Sequence, residues 1–316
     1  MTGPRQLTLF GGRKPGDRPD EPLVQPRPAR LGHATIDYKP ARAILTKATG
    51  FMDAYDFTLN PYAGCAFGCT YCYAAFFSRA SGPITGAERR DNWGRWVEVK
   101  ENAINLLERR RKRLDGTLIY MSSVTDPYQP IERKLKLTQG LLEVLAKRHR
   151  PKLVVQTRSP DVVRDVDLFR EVVDNGGRVQ VNLTVTTDDE DVRRAFEPTC
   201  PSNARRLGAA TELVGHGIAT CVTMTPLLPV QNAERFVDDL LATGVQDFIV
   251  QPFHFQSGKF VAGTRDAALG ILATKLNCGQ NRVPGRYLEH YYRVRDTLRS
   301  RLPRLGEGKD GFRPPF

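Results

Sequence analysis

Three cysteines lie within eight residues of this 316-residue chain, in the stretch NPYAGCAFGCTYCYAAFF. Cys65, Cys69 and Cys72 have the spacing C-x3-C-x2-C. Clustered thiols in a chain with no visible secretory signal indicate a metal or catalytic site rather than a disulfide framework. A structural zinc ion normally takes four ligands, and the nearest histidines, His33 and His149, are far away in sequence.

Three thiolates on one tight loop suit an iron–sulfur cluster better. They can hold three irons of a cubane and leave the fourth iron open. Gly64 and Gly68 allow the backbone to wrap closely around such a group. The alternative is that the three thiols are buried side chains without a shared function.

The other cysteines, Cys200, Cys221 and Cys278, are too widely spaced to suggest a second cluster. The N-terminal sequence lacks the apolar segment of a secretory signal, and the sequence has no run of 18 or more apolar residues. We therefore expect a cytoplasmic protein.

The cysteine motif, followed by an aromatic residue in a chain of alternating strands and helices, resembles the radical S-adenosylmethionine superfamily. Other segments are similar to its spore-photoproduct-lyase-like branch, whose members are often labelled DNA repair photolyases. The resemblance covers residues 45–255, and the segments that carry it are NPYAGCAFGCTYCYA, VKENAINLL, SSVTDPYQPIE, EPTCPSNARRL and TPLLP.

The resemblance implies a [4Fe–4S] cluster with Cys65, Cys69 and Cys72 as iron ligands. S-adenosylmethionine would bind the open iron, and one electron would cleave it to methionine and a 5′-deoxyadenosyl radical. Such a radical needs a dry, enclosed site, which a barrel lumen supplies. The implied reaction is of the lyase or repair type, and the electron donor would be a protein such as flavodoxin or ferredoxin.

Hydroxyls and a carboxylate follow the second predicted strand, where many members of the superfamily contact the amino group of S-adenosylmethionine. These residues are Ser122, Ser123, Thr125 and Asp126. Such groups are suitable partners for an ammonium. The alternative is a simple turn, since Asp-Pro often opens one.

The fourth predicted strand ends in Thr184, Thr186 and Thr187, near the place where the superfamily binds the ribose and carboxylate. The carboxylate also needs a cation, for which Arg194 and Arg205 are candidates. Surface arginines in salt bridges are the more frequent case.

Apolar and aromatic residues complete the predicted cofactor site. Pro226 and Leu227 could line the adenine pocket, or they could be barrel packing. Tyr71 and Phe67 lie between the cysteines, where they could shield the cluster, stack on adenine or belong to the core.

Cys200 follows the fourth strand and would face the barrel mouth. In spore photoproduct lyase a cysteine returns a hydrogen atom to the product radical. Cys200 is our candidate for this catalytic role, although no motif maps that cysteine onto it. The alternative is a buried, inert thiol.

The elements that must position these residues alternate between strand and helix. Strands are predicted at 57–60, 118–123, 153–157, 179–185, 220–224 and 248–253, and helices at 135–148, 202–215, 232–243 and 285–301. Apolar strands that alternate with helices predict a parallel sheet covered on both faces.

We predict an α/β fold, a partial (β/α)6 TIM-type barrel, over residues 46–262. A disordered basic arm would precede it at residues 1–45, and a C-terminal helical extension would follow at residues 263–316. A doubly wound open sheet is the alternative, but no GxGxxG follows the first strand.

The formal net charge is +12, from 47 basic and 35 acidic residues. This charge suits nucleic acid as a partner. Basic groups at residues 109–113 and 147–150 could contact phosphates. A peptide or small-molecule substrate remains the second hypothesis, and a non-enzymatic iron–sulfur or zinc-bearing nucleic-acid-binding protein the third.

A short apolar motif stands in the Pro- and Gly-rich N-terminal segment. Gln6, Leu7, Leu9 and Phe10 belong to QLTLF, which looks like the peptide that docks bacterial repair proteins on the sliding clamp. An unbound tail is the alternative.

Overall fold

The structure, a computed structural model, describes residues 26–80, 82–257 and 263–316. The predicted clamp motif at residues 6–10 lies outside the described residues. In the described part of the chain, no helix combines the length and hydropathy needed to cross a membrane.

Within the described residues the chain forms twelve strands. These are β1 (Arg30–Leu31), β2 (Ala34–Lys39), β3 (Leu45–Lys47), β4 (Phe57–Leu59), β5 (Tyr62–Gly64), β6 (Trp96–Lys100), β7 (Leu118–Met121), β8 (Lys152–Thr157), β9 (Arg178–Thr184), β10 (Ala219–Met224), β11 (Asp247–Val250) and β12 (Arg304–Glu307). All six predicted strands are present, as β4 and β7 to β11.

Eleven α-helices occur in the same part of the chain. These are α1 (Gly86–Asp91), α2 (Ala103–Glu108), α3 (Glu132–Leu135), α4 (Leu137–Arg148), α5 (Val166–Asp174), α6 (Glu190–Phe196), α7 (Asn203–Gly215), α8 (Ala233–Leu241), α9 (Asp266–Lys275), α10 (Val283–Arg301) and α11 (Gly308–Gly311). The four predicted helices correspond to α4, α7, α8 and α10, and Ser202 caps α7 as expected.

The main sheet has the strand order β12-β11-β10-β9-β8-β7-β4-β3. Neighbouring strands from β4 to β12 are parallel, and β3 at the edge is antiparallel to β4. Helices connect the parallel strands in chain order, which is the arrangement of a partial TIM-type barrel. The predicted fold class is confirmed.

The outer face of this sheet forms the main core. Leu153, Val181 and Val222 from three successive strands are fully buried, in the same cluster as Phe169 of α5 and Leu213 of α7. Burying an aliphatic or aromatic side chain of this size stabilises the fold by roughly 1.5–3 kcal/mol. The opposite face, which lines the barrel, is more polar.

A second sheet, in the order β1-β2-β6-β5, supports the cysteine motif. β5 ends one residue before Cys65 and pairs in antiparallel fashion with β6, which in turn pairs in parallel with β2. This sheet was not predicted from the sequence.

The predicted disordered arm is wrong for the part of residues 1–45 that the structure describes. β1 and β2 belong to the second sheet, and β2 buries Ala34 and Ile36 on one face. The alternation in ATIDYK is a strand pattern of period two, and the Pro- and Arg-rich neighbours obscured it.

The predicted helical extension also needs a correction, because β12 adds a parallel strand beside β11. Its sequence, RLGE, has one large apolar residue and therefore no readable period. α10 acts on the barrel itself: the Tyr287 hydroxyl donates to the Leu227 carbonyl (2.7 Å) and accepts from the Phe253 amide (3.1 Å). It thereby fixes the segments that follow β10 and β11.

Candidate functional site

The cysteine loop, residues 65–72, joins β5 to a 3-10 helix at Tyr73–Phe77. Two backbone turns fold it: the Gly68 amide donates to the Cys65 carbonyl (3.2 Å), and the Cys72 amide donates to the Cys69 carbonyl (3.1 Å). Cys65 and Cys69 are buried, and Cys72 is half-buried. The three thiols thus belong to successive turns of one short loop.

Two positions in and beside this loop require glycine. Gly64 has φ +72°, and a Cβ there would lie 2.5 Å from the Trp96 carbonyl oxygen. Gly68 has φ +59°, and a Cβ there would lie 3.1 Å from the Cα of Gly94. Glycine alone combines the left-handed conformation with such close backbone approach.

A buried glutamine that the sequence analysis missed holds the loop from the β7 side. The Oε1 of Gln129 accepts from the Ala66 amide (2.9 Å), and its Nε2 donates to the Thr125 hydroxyl (3.2 Å). That hydroxyl donates in turn to the Gly64 carbonyl (2.6 Å). Thr125 was predicted to contact S-adenosylmethionine, but its hydroxyl proton is engaged in the hydrogen bond that fixes the loop.

The segment after α6 holds the loop from the other side. The Thr70 amide donates to the Phe196 carbonyl (2.9 Å). The Thr199 hydroxyl lies within hydrogen-bond distance of the carbonyls of Ala66 (2.9 Å) and Phe67 (2.8 Å). The loop is therefore clamped between segments that follow two different strands of the main sheet.

A buried charged cluster lies next to the loop. The Glu197 carboxylate is fully buried, 2.9 Å from Nη1 of Arg158 and 2.5 Å from Nη2 of Arg206. It also accepts from the hydroxyls of Thr186 (2.9 Å) and Tyr71. Two guanidinium groups share one carboxylate, so the cluster carries one surplus positive charge.

The electrostatics of Glu197 maintain this charge. Burial alone would raise the pKa of its carboxyl, but attraction to Arg206 and Arg158 outweighs burial and holds the pKa at about 2. The carboxylate is therefore ionised throughout the neutral range, and the cluster keeps its net charge of one.

The three thiols differ in their surroundings. A hydrogen bond from Cys200 lowers the pKa of Cys69 most, and Arg158 adds to this effect against the opposing effect of burial. Burial raises the pKa of Cys65, and it raises that of Cys72 to about 12. Cys69, beside the cationic cluster, is thus the thiol most readily ionised.

The donor set fits an iron–sulfur cubane better than a single ion. Among the described residues, no group of three or more His, Cys, Asp or Glu side chains is arranged to hold one metal ion. In a cubane each cysteine binds a different iron, so the thiols need not converge on one point. The surplus positive charge would also offset the negative charge of thiolate-bound iron and sulfide.

The inner face of the barrel carries a row of polar side chains. The amide of Gln156 donates to the hydroxyls of Thr184 (2.9 Å) and Thr223 (3.0 Å), and its oxygen accepts from the Tyr120 hydroxyl (2.8 Å). The nearby Ser122 Oγ is buried without a hydrogen-bond partner among the described residues. An unpaired buried hydroxyl can accept or donate to a bound ligand.

The structure favours a turn at Asp126 over the predicted ligand. Its carboxylate accepts from the amides of Tyr128 (2.9 Å) and Arg158 (2.9 Å) and from the Thr157 hydroxyl (2.7 Å). Among the described residues, no hydrogen bond engages the Ser123 hydroxyl, while the Ser123 carbonyl accepts from the hydroxyl of Tyr73.

The candidate cations for the carboxylate of S-adenosylmethionine need correction. Arg194 is exposed on α6 and forms a salt bridge with Asp191, which is the surface alternative to its predicted role. Arg205 is exposed on α7, at a surface cavity rather than in the barrel. Arg158, which follows β8 directly, is a largely buried cation whose charge lowers the pKa of the Cys69 thiol. The hydroxyl of Thr187, which follows the fourth predicted strand, is already engaged within the chain, because it donates to the Pro229 carbonyl (2.6 Å).

The predicted apolar groups occupy the expected strand ends. Pro226 is half-buried after β10, and Leu227 is fully buried. Tyr71 is buried, and its ring packs edge-on against that of Phe253 at 5.9 Å. Phe67 is also buried. Tyr71 and Phe67 therefore shield the loop from solvent.

Cys200 lies beside the cysteine loop, with its Sγ 3.6 Å from that of Cys69. It also lines a surface cavity of about 230 Å³ together with Phe67 and Arg205. Its position next to a proposed iron ligand was not expected, and its role as a hydrogen donor stays a prediction.

Four residues of the site were not predicted from the sequence: Arg158, Glu197, Arg206 and Gln129. Three of them stood in segments quoted for the resemblance, since EPTCPSNARRL contains Glu197 and Arg206 and SSVTDPYQPIE contains Gln129. Arg158 follows a predicted strand directly, which is the position where parallel barrels place functional groups.

The chain is similar in sequence to a known family and to several known proteins. The sequence model of the radical SAM superfamily matches residues 59–242. The chain is 36% identical over 173 residues to the uncharacterized protein MJ0683 of Methanocaldococcus jannaschii, covering 55% of this chain and 61% of that protein. It is 28% identical over 204 residues to the uncharacterized protein Rv2578c of Mycobacterium tuberculosis, covering 61% and 58%. The matches thus span about six tenths of these relatives.

Solved structures of spore photoproduct lyase share the fold. A mutant of that enzyme superimposes with a TM-score of 0.54 at 14% identity, covering 90% of this chain and 87% of that chain. The enzyme complexed with dinucleoside spore photoproduct gives a TM-score of 0.51, also at 14% identity, covering 86% and 81%.

Proposed function

Because this chain belongs to the radical SAM superfamily, we propose that Cys65, Cys69 and Cys72 hold a [4Fe–4S] cluster used for reductive cleavage of S-adenosylmethionine. The chemistry that such a cluster supplies when bound is one-electron cleavage to methionine and a 5′-deoxyadenosyl radical, which takes hydrogen from a substrate. The observation that carries the proposal is the cysteine loop itself. It sets three thiols beside a cationic cluster, near the carboxyl ends of parallel strands.

The residues of the chain supply charge, contacts and exclusion of water. Arg158 and Arg206 stabilise negative charge on the thiolates from a buried position, where electrostatic effects are strong. Thr184 and the unpaired Ser122 hydroxyl offer polar contacts to a ligand in the barrel. The proposed contacts with S-adenosylmethionine also include Ser123, Pro226 and the hydroxyl oxygen of Thr186, which can accept a hydrogen bond while its proton goes to Glu197.

We propose a nucleic-acid base as the substrate, in a lyase or repair-type reaction. The net charge of +12 supports this class. So does the shared fold with an enzyme whose structure was solved in complex with dinucleoside spore photoproduct. A base in a duplex would have to be extruded to reach a barrel interior.

One observation favours the second candidate, a peptide or small molecule as substrate. The basic groups at residues 109–113 and 147–150 precede β7 and β8, and Arg148 donates to the Glu108 carbonyl between them. They therefore lie at the end of the barrel where strands begin, opposite to the cysteine loop. Phosphate contacts near the mouth must come from other residues.

Isotope transfer tests the substrate class. The full chain is reconstituted anaerobically with iron and sulfide, reduced, and supplied with S-adenosylmethionine and DNA deuterated in its bases. Ultraviolet-irradiated and untreated DNA form two arms, and a deuterated peptide mixture forms a third. We expect deuterium in 5′-deoxyadenosine from the irradiated DNA alone. Deuterium from the peptides alone would establish the second candidate.

We also propose that the enzyme is cytoplasmic and that it receives electrons from flavodoxin or ferredoxin. We further propose that it docks on the sliding clamp through Gln6, Leu7, Leu9 and Phe10. Only the sequence supports the clamp contact. Titration of a labelled peptide covering residues 1–15 with bacterial clamp tests it, beside the same peptide with Leu9→Ala and Phe10→Ala. Equal binding by both peptides would remove this proposal.

A further inference from the structure

Exposed aromatic side chains are concentrated directly behind the cysteine loop. Phe76 and Phe77 of the 3-10 helix are 38% and 59% exposed, and Tyr73 is 49% exposed. In the rest of the described chain, the large hydrophobic side chains with comparable exposure are Ile84, Val173 and Tyr292. We call Tyr73, Phe76 and Phe77 the aromatic surface.

The backbone beneath the aromatic surface is fixed. Ala74 and Ala75 on the same short helix are buried. The Ala75 amide donates to the Cys72 carbonyl (3.3 Å), and the Ser78 amide donates to the Ala75 carbonyl (3.2 Å). The ring of Tyr73 packs edge-on against that of Phe77 at 6.1 Å. The helix thus buries its small residues and presents its large rings to solvent, the reverse of ordinary core packing.

The aromatic surface lies at the mouth of the barrel. The hydroxyl of Tyr73 donates to the carbonyl of Ser123, which follows β7 at its carboxyl end. Tyr73, the first residue of the aromatic surface, is adjacent in sequence to Cys72. A chain that passes over these rings can therefore deliver one of its units into the barrel.

Cations flank the rings. Arg79 is exposed two residues after Phe77. Arg265 donates to the carbonyls of Thr70 (3.4 Å) and Arg90 (3.2 Å), so it lies between the cysteine loop and α1. Within the described ranges, neither Arg79 nor Arg265 forms a salt bridge with a carboxylate. The first residue of α1, Gly86, packs closely against the backbone that follows the aromatic surface, since a Cβ on Gly86 would lie 2.7 Å from the Ser78 carbonyl oxygen.

We propose that the aromatic surface is a stacking platform for unpaired bases of a nucleic-acid strand, with Arg79 and Arg265 on its phosphates. This inference rests on the proposed nucleic-acid substrate and places its binding at the mouth. Flat rings beside cations that no carboxylate of the described chain neutralises are complementary to bases and phosphates at once, whereas an apolar patch alone would not select a charged partner.

Fluorescence anisotropy with a labelled single-stranded oligodeoxynucleotide tests the platform. Phe77→Leu keeps apolar area but removes the ring, and we expect it to weaken binding by the full chain about tenfold. Phe77→Trp restores affinity, and its added emission is quenched by the oligonucleotide. Tyr292→Leu, which removes a ring of α10 that is 48% exposed, leaves the dissociation constant unchanged.

An abasic strand of the same length separates stacking from phosphate contacts. We expect the wild-type protein and Phe77→Leu to bind it equally and weakly. If the wild-type protein binds the normal strand and Phe77→Leu binds it equally well, the platform is wrong while the proposed substrate class stands. If the wild-type protein binds neither strand at low salt, both proposals fail.

Discussion

Glu197 is the residue on which the charge beside the cysteine loop depends. Its pKa of about 2 lies below the unfolded value of about 4.3. Ionisation of this carboxyl therefore stabilises the fold at neutral pH, and the contribution is lost as the pH falls from about 5 towards 2. Removing the charge leaves Arg158 and Arg206 buried without a counter-ion.

We expect Glu197→Gln to lower the free energy of unfolding by about 3–5 kcal/mol at pH 7, as for other broken buried ion pairs. The deficit relative to wild type should shrink as the pH is lowered from 7 towards 3, because protonation removes the same charge from the wild-type protein. Denaturant titrations at several pH values measure this. Asp191→Asn, in an exposed salt bridge with Arg194, is the control and should have little effect. A pH-independent deficit would contradict the account.

Cys200 is the candidate hydrogen donor, and its Sγ lies 3.6 Å from that of Cys69. Its contact with Cys69 does not make it a ligand of the proposed cluster, since three thiols already serve that purpose. We expect Cys200→Ala to retain cluster absorbance and cleavage of S-adenosylmethionine. If the thiol donates hydrogen to a product radical, the product spectrum alone changes, which chromatography of the reaction products detects. Unchanged products would assign Cys200 to structure.

At the scale of elements, the junction of β5 with the cysteine loop depends on Gly64. Ala at this position would need φ +72° and would place its Cβ 2.5 Å from a backbone oxygen of β6. We expect Gly64→Ala to lower the melting temperature and the iron content after reconstitution. Gly208→Ala on α7, where a Cβ meets nothing within 4 Å, is the matched control and should stabilise the helix by up to about 1 kcal/mol. Wild-type melting and iron content in Gly64→Ala would contradict this account of the loop.

The sequence predicted those elements whose period is strong. β8 contains an apolar run at residues 153–155, β9 alternates apolar and polar residues in RVQVNLT, and α7 begins at a serine cap, so their positions could be read directly. β5, of three residues, and β12, with a single large apolar residue, exist because partner strands pair with them. Such tertiary pairing leaves no local pattern.

The candidate site was also predicted from the sequence only in part. The cysteine spacing pointed to its chemistry, because three thiolates in one loop have few other uses. The partnership of Glu197 with Arg158 and Arg206 could not be read from sequence, since burial brings together residues from three separate segments. Arg194 and Arg205 illustrate the opposite error: on a helix, neighbouring arginines face different sides, and Arg193 and Arg206 are the buried ones.

At the scale of the whole molecule, basic side chains lie at both ends of the barrel: Arg79 and Arg265 near the mouth, and the groups at residues 109–113 and 147–150 at the opposite end. We expect nucleic-acid binding to weaken as the salt concentration rises. The slope of the logarithm of the association constant against the logarithm of the salt concentration should become less steep by about one in Arg79→Gln or Arg265→Gln. Arg109→Gln, at the opposite end, is the matched control and should leave the slope unchanged. Salt titrations of oligonucleotide binding measure these slopes. A reduced slope in Arg109→Gln alone would place the strand at the wrong end of the barrel for the proposed reaction.

The central claim is that the cysteine loop carries radical chemistry, and formation of 5′-deoxyadenosine tests it most directly. The reconstituted full chain is incubated anaerobically with S-adenosylmethionine and a strong reductant, and 5′-deoxyadenosine and methionine are quantified. We expect the wild-type protein to form both products in equal amounts. Replacement of Cys65, Cys69 or Cys72 by Ala should abolish product formation together with the cluster absorbance. Full cleavage by Cys69→Ala, or none by a wild-type protein loaded with iron and sulfide, would contradict the account.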